Sequence, residues 1–513
     1  MRKRVSIFVK NAAILTVTSL ILRTVGMFFR VYMSGKIGAE GMGLYQLVFS
    51  IYVLGATFAT SGISTAVTRL TADELVRGTA QSVRRILRRS VLLSLIIGLA
   101  STLLIYTGAE LISAYWIKDM RAVPALKMLS FSLPSMGVSS CLRGYFVARR
   151  QVTVNSRAQL LEQAIRIAVV VLLINRFAAQ GLAMACLAVM IGDTVAEWMA
   201  CLCLYAGYLR DRRRVSEELC ERNVPGMSAV IKRVLAIAVP ITTGRYVNTI
   251  LRTIENILVP NRIAAYCGSQ ERGLSAFGAL KGMALPLIFF PASFLSAMST
   301  LLIPEISSAN ALHQQRTIHN AVGKALRITL FSSILIGTVF LVFSNELGLL
   351  FYGNREVGIY LRVLAPLTPI MYTESIVDGI LKGLNQQNSS LVYSVTDSSL
   401  RIVLIVLLVP RLGMGGFLAI MVFSNLLTSF LNVHRLIKVT GLTVPWERWA
   451  LRPLLGAMLA AAVSLFITHL PFLSALPGIV LTVLGILSLC GTYLVLMLLM
   501  GCISRSELRK TVA

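Results

Sequence analysis

Residues 19–70, SLILRTVGMFFRVYMSGKIGAEGMGLYQLVFSIYVLGATFATSGISTAVTRL, decide how the rest of the chain is read. The stretch predicts two long apolar helices joined by a tight turn at Gly35-Lys36-Ile37-Gly38-Ala39-Glu40-Gly41. Arg23 and Arg30 lie seven residues apart in the first helix, close to two turns, so both guanidiniums share one face. An arginine costs about 2.5–3.5 kcal/mol at mid-bilayer on insertion scales unless it snorkels or meets water. The helix therefore ends near each arginine or lines a polar cavity.

Composition makes the membrane reading general. Of 513 residues, 56% are hydrophobic and 14% charged, and apolar windows of about twenty residues recur along the whole chain. The eight cysteines are scattered, and Cys201 and Cys203 sit inside an apolar segment with no second pair at metal spacing. The four histidines form no ligand cluster, and no phosphate-cradling glycine loop or nucleophile elbow is present, so no metal or cofactor is expected. The net charge of +27 is assigned to loops on one membrane face rather than to nucleic-acid binding.

The expected fold is all-α and polytopic, with about fourteen transmembrane helices, the first two over about 7–33 and 42–70 and the last two over about 451–470 and 476–501. The opening Met-Arg-Lys-Arg and apolar run resemble a signal peptide, but the run is too long and lacks a small-x-small cleavage site, so it is read as retained. Counting Lys and Arg in alternate loops puts about thirty on one side and about nine on the other. The basic side includes Arg84-Arg85, Arg88-Arg89, Arg149-Arg150 and the cluster at 210–214, and places both termini in the cytoplasm. The division expected is a six-helix lobe at 1–209, a basic cytoplasmic linker at 210–229, a second six-helix lobe at 230–440, and helices thirteen and fourteen with a tail at 441–513.

A shift of 235 residues aligns the two lobes. Pro134 falls on Pro369, Gly144 on Gly379, Gln151 on Gln386, Glu162 on Asp397 and Arg166 on Arg401. Six helices is an even number, so both copies enter the membrane from the same side and the repeat is parallel, an arrangement suited to alternating access.

Ionisable residues inside the apolar helices are the candidate functional residues. Glu162–Arg166 and Asp397–Arg401 are i,i+4 pairs with the acid first, and Arg252–Glu255 is an i,i+3 pair. Each is either a structural ion pair or a gate that breaks as the lobes move. Asp193–Glu197 and Glu374–Asp378 are like-charge pairs; repulsion within them favours a shared proton or cation, as a coupling site needs, unless a helix end exposes them to water. Arg245 and Arg252 repeat on the seventh helix the spacing of Arg23 and Arg30 on the first. Facing a cavity, such a stripe suits a diphosphate, which guanidinium forks grip bidentately. Pro286, Pro291 and Pro304 are expected to kink the eighth helix, and Pro134, Pro366 and Pro369 to act similarly in the fourth and tenth.

GAEGMGLYQL, SGISTAVTRL, LPLIFFPASFLSAMSTLLIPEISSA and DGILKGLNQQN together resemble the multidrug/oligosaccharidyl-lipid/polysaccharide exporter superfamily. The similarity is greatest to its polysaccharide-biosynthesis branch, which includes stage V sporulation protein B and MurJ-like lipid II flippases. The resemblance implies two six-helix lobes, two extra C-terminal helices that groove a lipid tail, a cationic cavity, and a non-enzymatic flippase in a bacterial cytoplasmic membrane. The substrate implied is a polyprenyl-diphosphate-linked saccharide such as lipid II. Carried onto this chain, the family's basic positions fall on Arg23, Arg30 and Arg69, with Lys281 near the start of the eighth helix. The expected partners are that lipid-linked saccharide and the bilayer, with the protein a monomer. Membrane potential, H+ or Na+ are the candidate energy sources. A cation-coupled multidrug exporter, a membrane enzyme acting on the same lipid, and a structural component of envelope or spore assembly are the alternatives. The exporter requires an anionic cavity, and the enzyme a converging carboxylate/histidine set.

Overall fold

The computed structural model describes residues 2–60, 62–77, 80–218, 227–471 and 477–502, and among these every regular element is helical. The contacts divide the chain into two units, Met1–Gly278 and Ala279–Ala513. The first contains α1 (Arg2–Thr60), α2 (Ile63–Arg77), α3 (Ala80–Leu111), α4 (Val123–Ser130), α5 (Leu133–Ala148), α6 (Val152–Ala178), α7 (Leu182–Glu218), α8 (Met227–Cys267) and α9 (Gln270–Phe277). The second contains α10 (Leu285–Ala311), α11 (Gln315–Val342), α12 (Ser344–Tyr352), α13 (Arg355–Leu364), α14 (Thr368–Gly383), α15 (Gln387–Thr440), α16 (Arg452–Thr468) and α17 (Gly478–Leu499).

The turn expected at 35–41 contracts to one residue. α1 runs through the segment and breaks only at Gly38, whose φ of 67° and ψ of −175° open to glycine alone a corner that other residues avoid. The helix after the break lies close against α9 and the π-helical turn that follows it. A Cβ on Gly43 would stand 2.2 Å from the Leu274 carbonyl oxygen, and one on Gly278 would stand 1.9 Å from that of Ala39. The GAEGMG run is thus a backbone-contact surface, and its Glu40 reaches Arg121 at 2.6 Å.

Nine helical stretches among the described residues are long and apolar enough to cross a membrane, or ten if a pair bent by 50° at Lys232–Val239 and Thr242–Cys267 is one span. Two of the nine, Ile14–Val76 and Gln387–Thr440, have 63 and 54 residues. At 1.5 Å per residue each is more than twice as long as the ~30 Å hydrocarbon core. They break at Gly38 and at Gly413 respectively. The expected fourth and tenth helices, which carry Pro134 and Pro366 with Pro369, fall outside the nine because they are cut. Pro134 begins α5 after a break at residues 131–132, and a 3-10 turn at Ala365–Leu367 precedes Pro369 in α14. These prolines therefore start helices instead of kinking them, where a missing N–H is tolerated. Pro286 likewise sits in the first turn of α10, and only Pro291 and Pro304 lie in its interior. The expected linker at 210–229 is helical in its first part, since α7 continues to Glu218 and α8 begins at Met227; residues 219–226 lie outside the described residues.

The 235-residue register reappears in the backbone. Lys118 and Gly353 both take φ 60°, and the residues after them, Asp119 and Asn354, each accept a hydrogen bond from the backbone N–H two residues on. Arg150 and Asn385 take φ 59° and 58°, immediately before Gln151 and Gln386. Left-handed non-glycine residues cost roughly 1–2 kcal/mol each. Their recurrence at one register marks two copies of one local design. In the second unit α17 is tied to α11 by Tyr493 Oη donating to the Phe331 carbonyl at 3.1 Å, and to α16 by Ser464 Oγ donating to that of Gly485 at 2.8 Å.

Replacing Gly278 by Val should lower the melting temperature of the detergent-solubilised protein, by an overpacking cost of about 1–3 kcal/mol. Gly415→Ala, where an added Cβ meets nothing within 4 Å, should leave it unchanged or slightly raised. Equal melting of both variants would contradict the contact.

Candidate functional site: two clusters of intramembrane charge

In the first unit the charges converge from α5, α6 and α7. Arg166 reaches Glu162 at 2.9 Å along its own helix and Asp193 on α7 at 2.6 Å. Arg143 on α5 reaches Glu162 at 3.0 Å and Glu197 at 4.0 Å. Asp193 and Glu197 are both buried, 8% and 5% exposed, so three carboxylates share two guanidiniums at low dielectric. Arg30 on α1 is half-buried and within Coulombic range of Asp193, which brings a third cation to the group. Asp193 Oδ2 and Glu197 Oε1 are buried and accept no hydrogen bond from the described residues, leaving acceptor capacity for a proton or cation.

The second unit builds a smaller version. Arg401 donates to Asp397 and, at 2.7 Å, to Ser424 Oγ, which itself donates to Asp397 Oδ1 at 2.6 Å. Here a hydroxyl completes the carboxylate. Glu374 on α14 is half-buried, within Coulombic range of Asp397 and Arg401. Asp378, one turn further along, pairs with Lys382 at 2.5 Å. The two like-charge pairs of the sequence are thus separated: Asp193 faces Arg166 and Glu197 faces Arg143, while Asp378 faces Lys382 and Glu374 turns towards the Asp397 group.

The remaining candidate residues lie elsewhere. Arg23 is exposed on the first half of α1, Arg69 is exposed on α2, and Arg245 and Arg252 are exposed on α8. Glu255 is buried, 3% exposed, whereas Arg252 points outwards. Lys281, half-buried in the π-helical turn Gly278–Ala284, stands 6.0 Å from the centroid of the Phe417 ring, within cation–π range.

One charged centre escaped the sequence reading. Asp211, inside the basic run RDRRR, is buried and accepts from Tyr145 Oη at 2.7 Å, Gln151 Nε2 at 2.7 Å and Arg149 Nε at 3.1 Å. It fastens the end of α7 to the α5–α6 turn. The signal available was a single acid within a basic cluster. Glu40, paired with Arg121, likewise passed as a turn residue because its partner is 81 positions away.

Comparison with known proteins gives a consistent result. The family model described as polysaccharide biosynthesis protein matches residues 8–310, and the MatE model matches residues 258–407. Stage V sporulation protein B of Bacillus subtilis (strain 168) is 24% identical over 446 residues, covering 86% of each chain. The lipid II flippase MurJ of the same organism is 21% identical over 458 residues, covering 83% of this chain and 82% of its own. A solved structure of a lipid II flippase MurJ in an inward closed conformation superposes with a TM-score of 0.68 at 13% identity, over 94% of this chain and 98% of the other. The fold is shared with solved transporters of the MOP superfamily, and the described residues carry many helices long and apolar enough to cross a membrane.

Arg166→Met strands the buried Asp193 carboxylate and leaves Glu162 with Arg143 alone, and should destabilise the protein by about 3–5 kcal/mol. Adding Glu162→Gln and Asp193→Asn should recover most of that loss. Thermal unfolding of the three variants in detergent checks it; a triple variant no more stable than the single one would show that the pairing does not hold the helices.

Proposed function

The chain belongs to the polysaccharide biosynthesis protein family, and on that premise we propose that it is a flippase for a polyprenyl-diphosphate-linked saccharide, lipid II or a related cell-envelope precursor. The proposed action is alternating access, carrying the headgroup from the inner to the outer leaflet of a bacterial cytoplasmic membrane with both termini in the cytoplasm. The observation that carries this reading is likeness along most of the chain to stage V sporulation protein B and to a lipid II flippase. Fourteen crossings fit it: the bent pair in α8 counts as one span, the stretches broken at Gly38 and Gly413 each supply two, and the cut helix pairs α4–α5 and α13–α14 supply one each.

The chemistry is compatible with the exposed cations. Arg23 on α1, and Arg245 and Arg252 on α8, are open to approach, and a guanidinium fork matches two phosphate oxygens at once. Arg30 and Arg69 are assigned to the same headgroup, Arg30 also lying within Coulombic range of Asp193, and Lys281 is the candidate basic residue of the second unit. Gating or coupling falls to Glu162, Arg166, Glu255, Glu374, Asp378, Asp397 and Arg401. Membrane potential suits a cationic path, since one charge moved through 100 mV is worth about 2.3 kcal/mol. A second reading, a proton- or sodium-coupled multidrug exporter, draws on the MatE match and on the unsatisfied acceptors of Asp193 and Glu197.

The test is flipping of defined polyprenyl-diphosphate sugars by the reconstituted protein, with and without an imposed potential. Arg23→Glu removes a charge-assisted contact worth about 1.5–3 kcal/mol, so flipping should fall at least tenfold. Its exposed position keeps the buried cluster intact. Undiminished flipping by this variant would remove Arg23 from the headgroup site, and cationic-drug export without any flipping would favour the second reading.

A further inference from the structure

The first unit carries an apolar hollow that none of the transport chemistry uses. A cavity of about 1090 Å3 lies between Ile51, Leu54 and Phe58 of α1 and residues 96–111 of α3, closed at one end by Tyr115 and Trp116. A second cavity of about 510 Å3 runs along α8 from Ile250 to Ala265. The two adjoin, sharing Leu54, Tyr115 and Trp116 in their walls. Their common wall is built, not incidental: Asn261 Nδ2 of α8 donates to the Trp116 carbonyl at 2.9 Å, and Gln270 Nε2 to that of Ile117 at 3.3 Å.

The charges are distributed in one way only. No acidic residue lines either furrow, and both cations, Lys118 and Arg262, line the second, with Lys118 two residues beyond Trp116. Tyr115 and Trp116, 75% and 51% exposed, are residues that settle at the boundary of headgroups and hydrocarbon. The polar end of the furrows is thereby set at headgroup depth and their apolar length in the hydrocarbon.

We propose that the paired furrows hold one two-chain anionic phospholipid of the surrounding bilayer, its phosphate at Lys118 and Arg262. Two adjoining apolar furrows match two acyl chains, whereas a single polyprenyl chain would fill only one. Two cations in walls that carry no acid, the neighbouring Asp119 being paired with Arg121, select a net negative headgroup over a zwitterionic one. The site is separate from the candidate diphosphate arginines and does not depend on the transported substrate. A lipid seated there fills the apolar space left beside the direct α1–α8 contacts, such as Thr253 Oγ1 donating to the Ser50 carbonyl at 3.3 Å and Asn256 Nδ2 to Ser50 Oγ at 3.0 Å.

The experiment uses the full chain reconstituted in vesicles of equal phosphatidylglycerol and phosphatidylcholine, one or the other carrying a photoactivatable acyl chain. Phosphatidylglycerol should label residues 96–116 and 250–265 in preference to phosphatidylcholine. Lys118→Asn with Arg262→Gln should reduce that preference roughly tenfold or more, at about 1 kcal/mol per basic residue near the surface. Asparagine tolerates the left-handed backbone at position 118, so this variant is expected to fold. Ser101→Phe, which fills the larger furrow, should reduce labelling with both cations in place. Equal labelling by the two lipids, or an unchanged preference in the double variant, would overturn the proposal. So would displacement of the label by a polyprenyl diphosphate, which would make the furrows part of the transport path. Flipping assayed on the same vesicles reads the transport function separately.

Discussion

The structure depends on keeping ionised side chains paired among apolar helices where burial reduces their solvation. Arg166 is the clearest case: one guanidinium on α6 bridges Glu162 on its own helix and Asp193 on the next. An unpaired charge there would cost several kcal/mol, more than most packing contacts return. The helices of the first unit are accordingly positioned by their charges as much as by their apolar faces, with α5 brought in through Arg143 and the end of α7 fastened through Asp211.

Close backbone contact is the second constraint. Lipid is as apolar as leucine, so helix association inside a membrane relies on close fit and small residues. Gly43 and Gly278 supply that fit where α1 meets the turn before α10, and Gly485 does so where a Cβ would meet the Phe343 ring at 2.6 Å. The GAEGMG motif, which reads in the sequence as a turn, is in the structure mostly a packing face with one corner residue.

Much of this was legible in the sequence for a physical reason. Apolar length and charge spacing are local properties, so the helices, the Glu162–Arg166 and Asp397–Arg401 pairs and the 235-residue repeat could be read directly. What could not be read depends on partners distant in the chain. Glu40 pairs with Arg121, Asp211 with the α5–α6 turn, and Glu197 with Arg143; Lys382, one helical turn beyond Asp378, is the local exception. Breaks were misplaced for a related reason: proline at the start of a helix and proline inside one look alike until the α-helix is seen to give way before them, to a turn at residues 131–132 and to a 3-10 turn at Ala365–Leu367.

The two copies show what the constraint acts on. At the 235-residue register Asp193 and Glu197 correspond to Thr428 and Asn432, and Arg143 corresponds to Asp378. Individual charges have therefore not been kept. Yet each unit assembles three carboxylates with two cations: Glu162, Asp193 and Glu197 with Arg143 and Arg166 in the first, and Glu374, Asp378 and Asp397 with Lys382 and Arg401 in the second. In the first the surplus acid is buried, with Arg30 within Coulombic range of Asp193; in the second one ion pair lies at a more exposed position at the end of α14, and Ser424 completes the buried carboxylate. Burial permits either solution, because what it penalises is an uncompensated charge and not a charge at a given position. Free placement of compensated charge lets one scaffold carry a charge-dense cluster in one half and a hydroxyl-completed one in the other.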